Sequence, residues 1–113
     1  MAVRIYHNPR CSKSRQTLEL LTAKGIVPEV VEYLKTPLDA VALKALNAKL
    51  GVPVRAMMRT KEAPYKDLSL AEADDTALLA AIAAHPILLE RPIVENGPKA
   101  AIGRPPEAVE AVL

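Results

Sequence analysis

The chain has 113 residues, half of them hydrophobic, with 15 basic against 13 acidic side chains; this length gives one packed domain and excludes global disorder. A formal charge of +2 is too balanced for capture of nucleic acid or membrane by bulk attraction. One cysteine and two histidines exclude an internal disulfide and a C-x-x-C pair and argue against a bound zinc ion. The apolar run Leu78 to Ala84 is too short to span a bilayer.

The N-terminus, MAVRIYHNP, lacks the apolar core of a signal peptide, so a soluble protein of the reducing cytoplasm is expected. With no Phe, no Trp and three Tyr, the core must be aliphatic. Residues 2 to 6 alternate Val3 and Ile5 with Arg4 and predict a strand, which Asn8-Pro9 breaks. From Ser14 the period changes: Leu18, Leu20 and Leu21 take helical spacing and Gly25 stops the helix. Residues 28 to 34, PEVVEYL, predict a second strand, parallel to the first because a helix connects them. Thr36 is the expected N-cap of the next helix, with Pro37 at its first position and Gly51 at its end. Short helical pieces follow over 53 to 59 and 64 to 70, then a helix capped by Asp74-Asp75 and stopped near His85-Pro86. Strands over 92 to 95 and 99 to 102 join through a hairpin at Asn96-Gly97, and PPEAVEAVL closes the chain as a helix.

The stretch YHNPRCSKSRQ places Cys11 where strand passes to helix, with His7, Arg10, Lys13 and Arg15 around it. The first turn of a helix has unpartnered N–H groups and a partial positive charge, so it stabilises a thiolate and any anion that meets it. His7, if protonated, and the neighbouring cations would act the same way, and Ser12 and Ser14 can add hydroxyl donors. The competing reading is a small buried hydrophobe, the usual fate of a free cysteine. A cysteine-phosphatase loop is excluded: it needs Arg six positions after Cys, where this chain has Thr17. Arg59, Arg91 and Arg104 could be aimed at this loop, because the guanidinium fork suits tetrahedral oxyanions, but each taken singly reads as a solvated charge. His85 reads as a helix-end residue, and Tyr33 and Tyr65 as packing.

HNPRCSKSRQTLELL, VRAMMRTKEAPYKDL, HPILLERPIV and IGRPPEAV together resemble, in order and over nearly the full chain, the motifs of the glutaredoxin-dependent arsenate reductase family. The resemblance implies a thioredoxin-like α/β fold over residues 1–113: βαβ, a helical insert at about 37–86, then ββα, with a mixed four-stranded sheet. It implies Cys11 as nucleophile toward arsenate and His7 as the group keeping it a thiolate. Arg59, Arg91 and Arg104, with Ser14 and Arg15 of the loop, would bind the oxyanion. No bound cofactor is expected; glutathione, as external thiol, would attack the adduct and glutaredoxin would clear the mixed disulfide, since the chain has no second thiol. Arg91-Pro92 falls where such folds carry a cis-proline. The loop reads CSKSR where the best-known arsenate reductases of this type read CGTSR, and so resembles a sibling subgroup. Two further readings stand beside this one. One is a monothiol oxidoreductase acting on another oxyanion or on glutathione mixed disulfides. The other is an RNA polymerase-binding redox regulator, whose C-x-x-C switch would have Ser14 in its second position.

Overall fold

The computed structural model describes residues 2–113. The chain forms two compact units, one from the residues up to Thr36 together with Arg91–Leu113, the other from Pro37–Glu90. The first holds a four-stranded mixed sheet in the order β2-β1-β3-β4. Its strands are β1 (Val3–Tyr6), β2 (Glu29–Val31), β3 (Ile93–Asn96) and β4 (Lys99–Ile102). β1 runs parallel to β2 and antiparallel to β3, and β3 pairs antiparallel with β4 through the Gly97-Pro98 turn, where Gly97 takes φ +59°.

Helix α1 (Ser12–Ala23) covers one face of the sheet, with a C-terminal 3-10 helix over Pro106–Val112 beside it. Side-chain alternation along the strands sends Ile5 and Val94 to that face, where they meet Leu21 of α1 and Val109 in a fully buried cluster. α1 ends as its glycine requires: Gly25 sits at φ +77°, its N–H reaches the Thr22 carbonyl at 2.9 Å, and Ile26 N–H reaches Leu21 O at 3.0 Å. That is a Schellman termination, with Leu21 and Ile26 both in the core it closes. On the other face Arg4 lies between Glu29 and Glu95, and the Tyr6 hydroxyl donates to Glu95 at 3.0 Å. Burial pushes the Tyr6 phenol above its usual value.

The second unit contains α2 (Ala40–Leu50), α3 (Ala63–Asp67) and α4 (Asp75–Ala84), with 3-10 turns over Val54–Met57, Leu70–Glu72 and Pro86–Leu88. α2 packs on α4 through Leu43, Leu46, Leu78 and Ile82, all buried. A bridge between Met58 and Leu89 holds the segment after Pro86 in this unit, which runs to Glu90. Arg55 ties its loops together: Nη2 donates to the carbonyls of Leu70, Ala71 and Ala73 at 2.8, 3.1 and 2.9 Å, and Nε donates to the Tyr65 hydroxyl at 3.1 Å.

Three local expectations are corrected. The second strand stops at Val31, not Leu34, because Lys35 and Thr36 N–H groups both turn back to the Glu32 carbonyl and bury Tyr33 in the turn. Thr36 does not cap α2; Asp39 does, accepting from Ala42 N–H at 2.8 Å, where its negative charge also suits the helix N-terminus. The last helix is 3-10 rather than α. Asp74, by contrast, caps α4 through Ala77 N–H at 2.9 Å, and His85 is exposed at its C-cap. Both Arg91-Pro92 and Arg104-Pro105 are cis.

Arg55→Ala strands three carbonyls and a hydroxyl, so it is expected to lower stability by about 2 kcal/mol. Arg55→Lys should restore only part, since an ammonium cannot reproduce the fork. An unchanged midpoint in urea denaturation of both variants would refute this role.

Candidate active site

Cys11 is the N-cap of α1, in an extended conformation after a turn closed by its own N–H on the Asn8 carbonyl at 3.0 Å. The residue is 8% exposed. Burial, the largest influence, pushes the thiol up. The Ser14 amide, the Arg91 charge, the Lys13 amide and the Arg104 charge oppose it, and the balance leaves the thiol below its ordinary value. Neither amide completes a capping hydrogen bond to the sulfur, so their effect is that of oriented dipoles at the helix start. Arg104 makes the direct contact, with Nη2 3.6 Å from Sγ while its Nε donates to the Arg91 carbonyl at 2.8 Å. One guanidinium thus joins the sulfur to the backbone just before the Arg91-Pro92 bond.

His7 is held elsewhere than expected. Its Nδ1 lies 2.6 Å from Ser14 Oγ, which also accepts from the Asn8 amide at 3.0 Å. All three groups are satisfied when the Ser14 hydroxyl donates to Nδ1 and the ring carries its proton on Nε2. Burial outweighs the pull of Glu32 and, with Arg15, holds the imidazole below its usual value. The His7 ring faces the Ser14 hydroxyl, and the two side chains brace the loop. Ser14, fully buried, offers the sulfur its amide and not its hydroxyl.

Arg15 is committed to the Pro9 carbonyl at 2.9 Å, and it is Arg91 and Arg104 whose charges act on the sulfur. Arg59 belongs to the helical unit, where its Nη2 pairs with Glu62 at 3.0 Å and its N–H donates to Leu88 O at 2.7 Å. A cavity of about 630 Å3 flanks α1 beside His7, Arg15 and Leu18, but Cys11 does not line it.

Two residues that the sequence reading passed over complete the site. Thr17, fully buried, donates to the Lys13 carbonyl at 2.8 Å. Gly103 packs against it: a Cβ there would lie 2.7 Å from Thr17 Oγ1 and 2.7 Å from Pro92 Cγ. The absent side chain lets the segment after β4, which carries Arg104, approach both α1 and Pro92. No turn pattern in IGRPPE marks this need, since the constraint comes from a residue far away in sequence.

The order and pairing of these strands, with α1 set between the first two, define a thioredoxin-like α/β protein with a cysteine at the head of its first helix. The solved arsenate reductase of Vibrio cholerae superposes on this chain with a TM-score of 0.97 at 53% identity, covering all of this chain and 98% of that one. An arsenate reductase of Neisseria meningitidis serogroup A is 56% identical over 98% of this chain and 97% of its own length. The Escherichia coli K12 protein YfgD, whose name states no activity, is 54% identical over 98% and 97%. Residues 6–112 match the ArsC family, and the chain belongs to it.

Gly103→Ala should destabilise the protein by about 1–3 kcal/mol, the usual cost of overpacking, read as a lowered thermal midpoint. A midpoint equal to that of the unchanged protein would mean that the contact with Thr17 and Pro92 yields freely.

Proposed function

We propose that this protein reduces arsenate to arsenite, with Cys11 as nucleophile and glutathione and glutaredoxin as external thiols. The observation that carries this reading is the Cys11 sulfur set among helix amides, Arg91 and Arg104, a place that lowers its pKa and that also suits an oxyanion. The substrate named for the Vibrio cholerae and Neisseria meningitidis relatives supplies the identity of that oxyanion.

In the first step the Cys11 sulfur displaces one oxygen of arsenate, which leaves as water, and an S–As(V) bond forms. Glutathione then attacks the Cys11 sulfur; an S–S bond forms, and the S–As pair departs with arsenic, reducing it to arsenite. Glutaredoxin takes the glutathionyl group and returns Cys11 as thiolate. Arg104, already at the sulfur, and Arg91 neutralise the oxyanion as charge builds on it. Arg59 is assigned to the same task by its motif alone. His7 and Ser14 hold the loop and, through the Ser14 amide, the thiolate.

The monothiol-exchange alternative uses the same thiolate without the oxyanion. Ser14 cannot stand in for a resolving thiol, since a hydroxyl cannot form the S–S bond of exchange; its Oγ is bonded to His7 and to the Asn8 amide.

The test is arsenite production from arsenate with glutathione, glutaredoxin and an NADPH-recycling system. Turnover by the unchanged protein and none by Cys11→Ser is expected. Absence of turnover in the unchanged protein, with Cys11 still rapidly alkylated near neutral pH, would remove arsenate as the substrate.

A further inference from the structure

Ahead of its first acidic residue, Glu19, the chain carries four cations: Arg4, Arg10, Lys13 and Arg15. The structure separates them into two kinds. Arg4 is neutralised between Glu29 and Glu95, and Arg15 is bonded to the Pro9 carbonyl. The side chains of Arg10 and Lys13 are exposed, and among the described residues neither enters an ion pair or a hydrogen bond. They stand one residue before and two residues after Cys11, on backbone fixed by the Asn8–Cys11 turn and the start of α1.

The sulfur does not need these two charges. It is served by Arg91, Arg104 and the amides of Ser14 and Lys13, so the ammonium and guanidinium outside it act on whatever approaches. Unscreened like charges on an exposed rim steer anions toward the site and repel cations. An oxyanion already has its own arginines. The reactant left over is the external thiol that a one-cysteine chain requires.

We propose that Arg10 and Lys13 form the docking surface for this second thiol and select a thiol that carries carboxylate charge. The inference rests on the reading of Cys11 as a nucleophile resolved by an external thiol. In the step concerned, a thiolate attacks the Cys11 sulfur while it carries a leaving group: an S–S bond to Cys11 forms and the bond from the Cys11 sulfur to the leaving group breaks, both electrons departing with that group.

The step can be observed without arsenate. Cys11 is converted to its 2-pyridyl disulfide with 2,2′-dithiodipyridine, and release of neutral 2-thiopyridone is followed by absorbance. The attacking thiols are 3-mercaptopropionate, 2-mercaptoethanol and cysteamine, carrying negative, zero and positive charge. Each rate, corrected for thiolate fraction, is divided by that for the same thiol on the pyridyl disulfide of N-acetylcysteinamide. At low salt, 3-mercaptopropionate should be favoured over cysteamine on the order of tenfold. The preference should collapse in 1 M salt, where the Debye length is about 3 Å. It should vanish in Arg10→Ala/Lys13→Ala and invert in Arg10→Glu/Lys13→Glu.

Lys99→Glu is the control for net charge. Strand register puts Lys99 opposite Asn96, which in turn faces Val3, at the end of the sheet away from Tyr6 and the Cys11 loop. A ratio near one in the unchanged protein overturns the proposal. So does a ratio that survives the double alanine variant, which would transfer selection to Arg91 and Arg104. An equal change from Lys99→Glu and Lys13→Glu overturns it as well, since bulk charge alone would then explain the effect. Arsenate turnover of the protein before this modification, with Cys11 free, reports separately on the parent reading.

Discussion

A thiol placed at the head of a helix and nearly closed off from water is the constraint around which the sheet-bearing unit is arranged. Burial alone would keep Cys11 protonated and inert. Every other feature of the loop acts against that cost: the first-turn amides of α1, the Arg91 charge, and Arg104 reaching Sγ while anchored on the Arg91 carbonyl. The balance favours the thiolate because fixed dipoles and charges in a partly dry site act more strongly than the same groups in water.

Fold and chemistry meet in the packing that brings Arg104 to the sulfur. Cys11 and Arg104 are far apart in sequence, and they meet because β1 pairs with β3, β3 with β4, and α1 lies over the sheet. Gly103 sets how closely the end of β4 comes to α1, against Thr17 and Pro92. Thr17 in turn bonds the carbonyl of Lys13, whose amide acts on the sulfur. A methyl group at position 103 would thus disturb a packing contact and the geometry of the thiolate together.

Patterns of short range were legible in the sequence: the β1–α1–β2 order, the Gly25 and Gly51 terminations, the Asp74 cap and the Asn96-Gly97 hairpin. Choices between neighbouring candidates were not. Thr36 and Asp39 can both cap a helix, and the turn at Glu32, set by a carbonyl rather than by any side chain, decides how the chain enters α2. Within the site, residue types gave Cys11, Arg91 and Arg104 as candidates. Their division of labour depended on which atom of each residue faces the sulfur: the amide of Ser14 rather than its hydroxyl, which is turned to His7. Arg15 and Arg10 look alike in the sequence, yet one is spent on a backbone carbonyl and the other is not.

The electrostatic coupling between Cys11 and Arg104 is tested most directly by ultraviolet titration of the thiolate in the substrate-free protein, compared with Arg104→Ala. A depressed folded-state pKa means that the unfolded chain holds more protons between the two midpoints, so thiolate should form early and stability should rise with pH across that window. The expected midpoint lies below the roughly 8.5 of a free cysteine, and Arg104→Ala should raise it. A midpoint at or above that value, unmoved by loss of the arginine, would contradict the coupling on which the site depends.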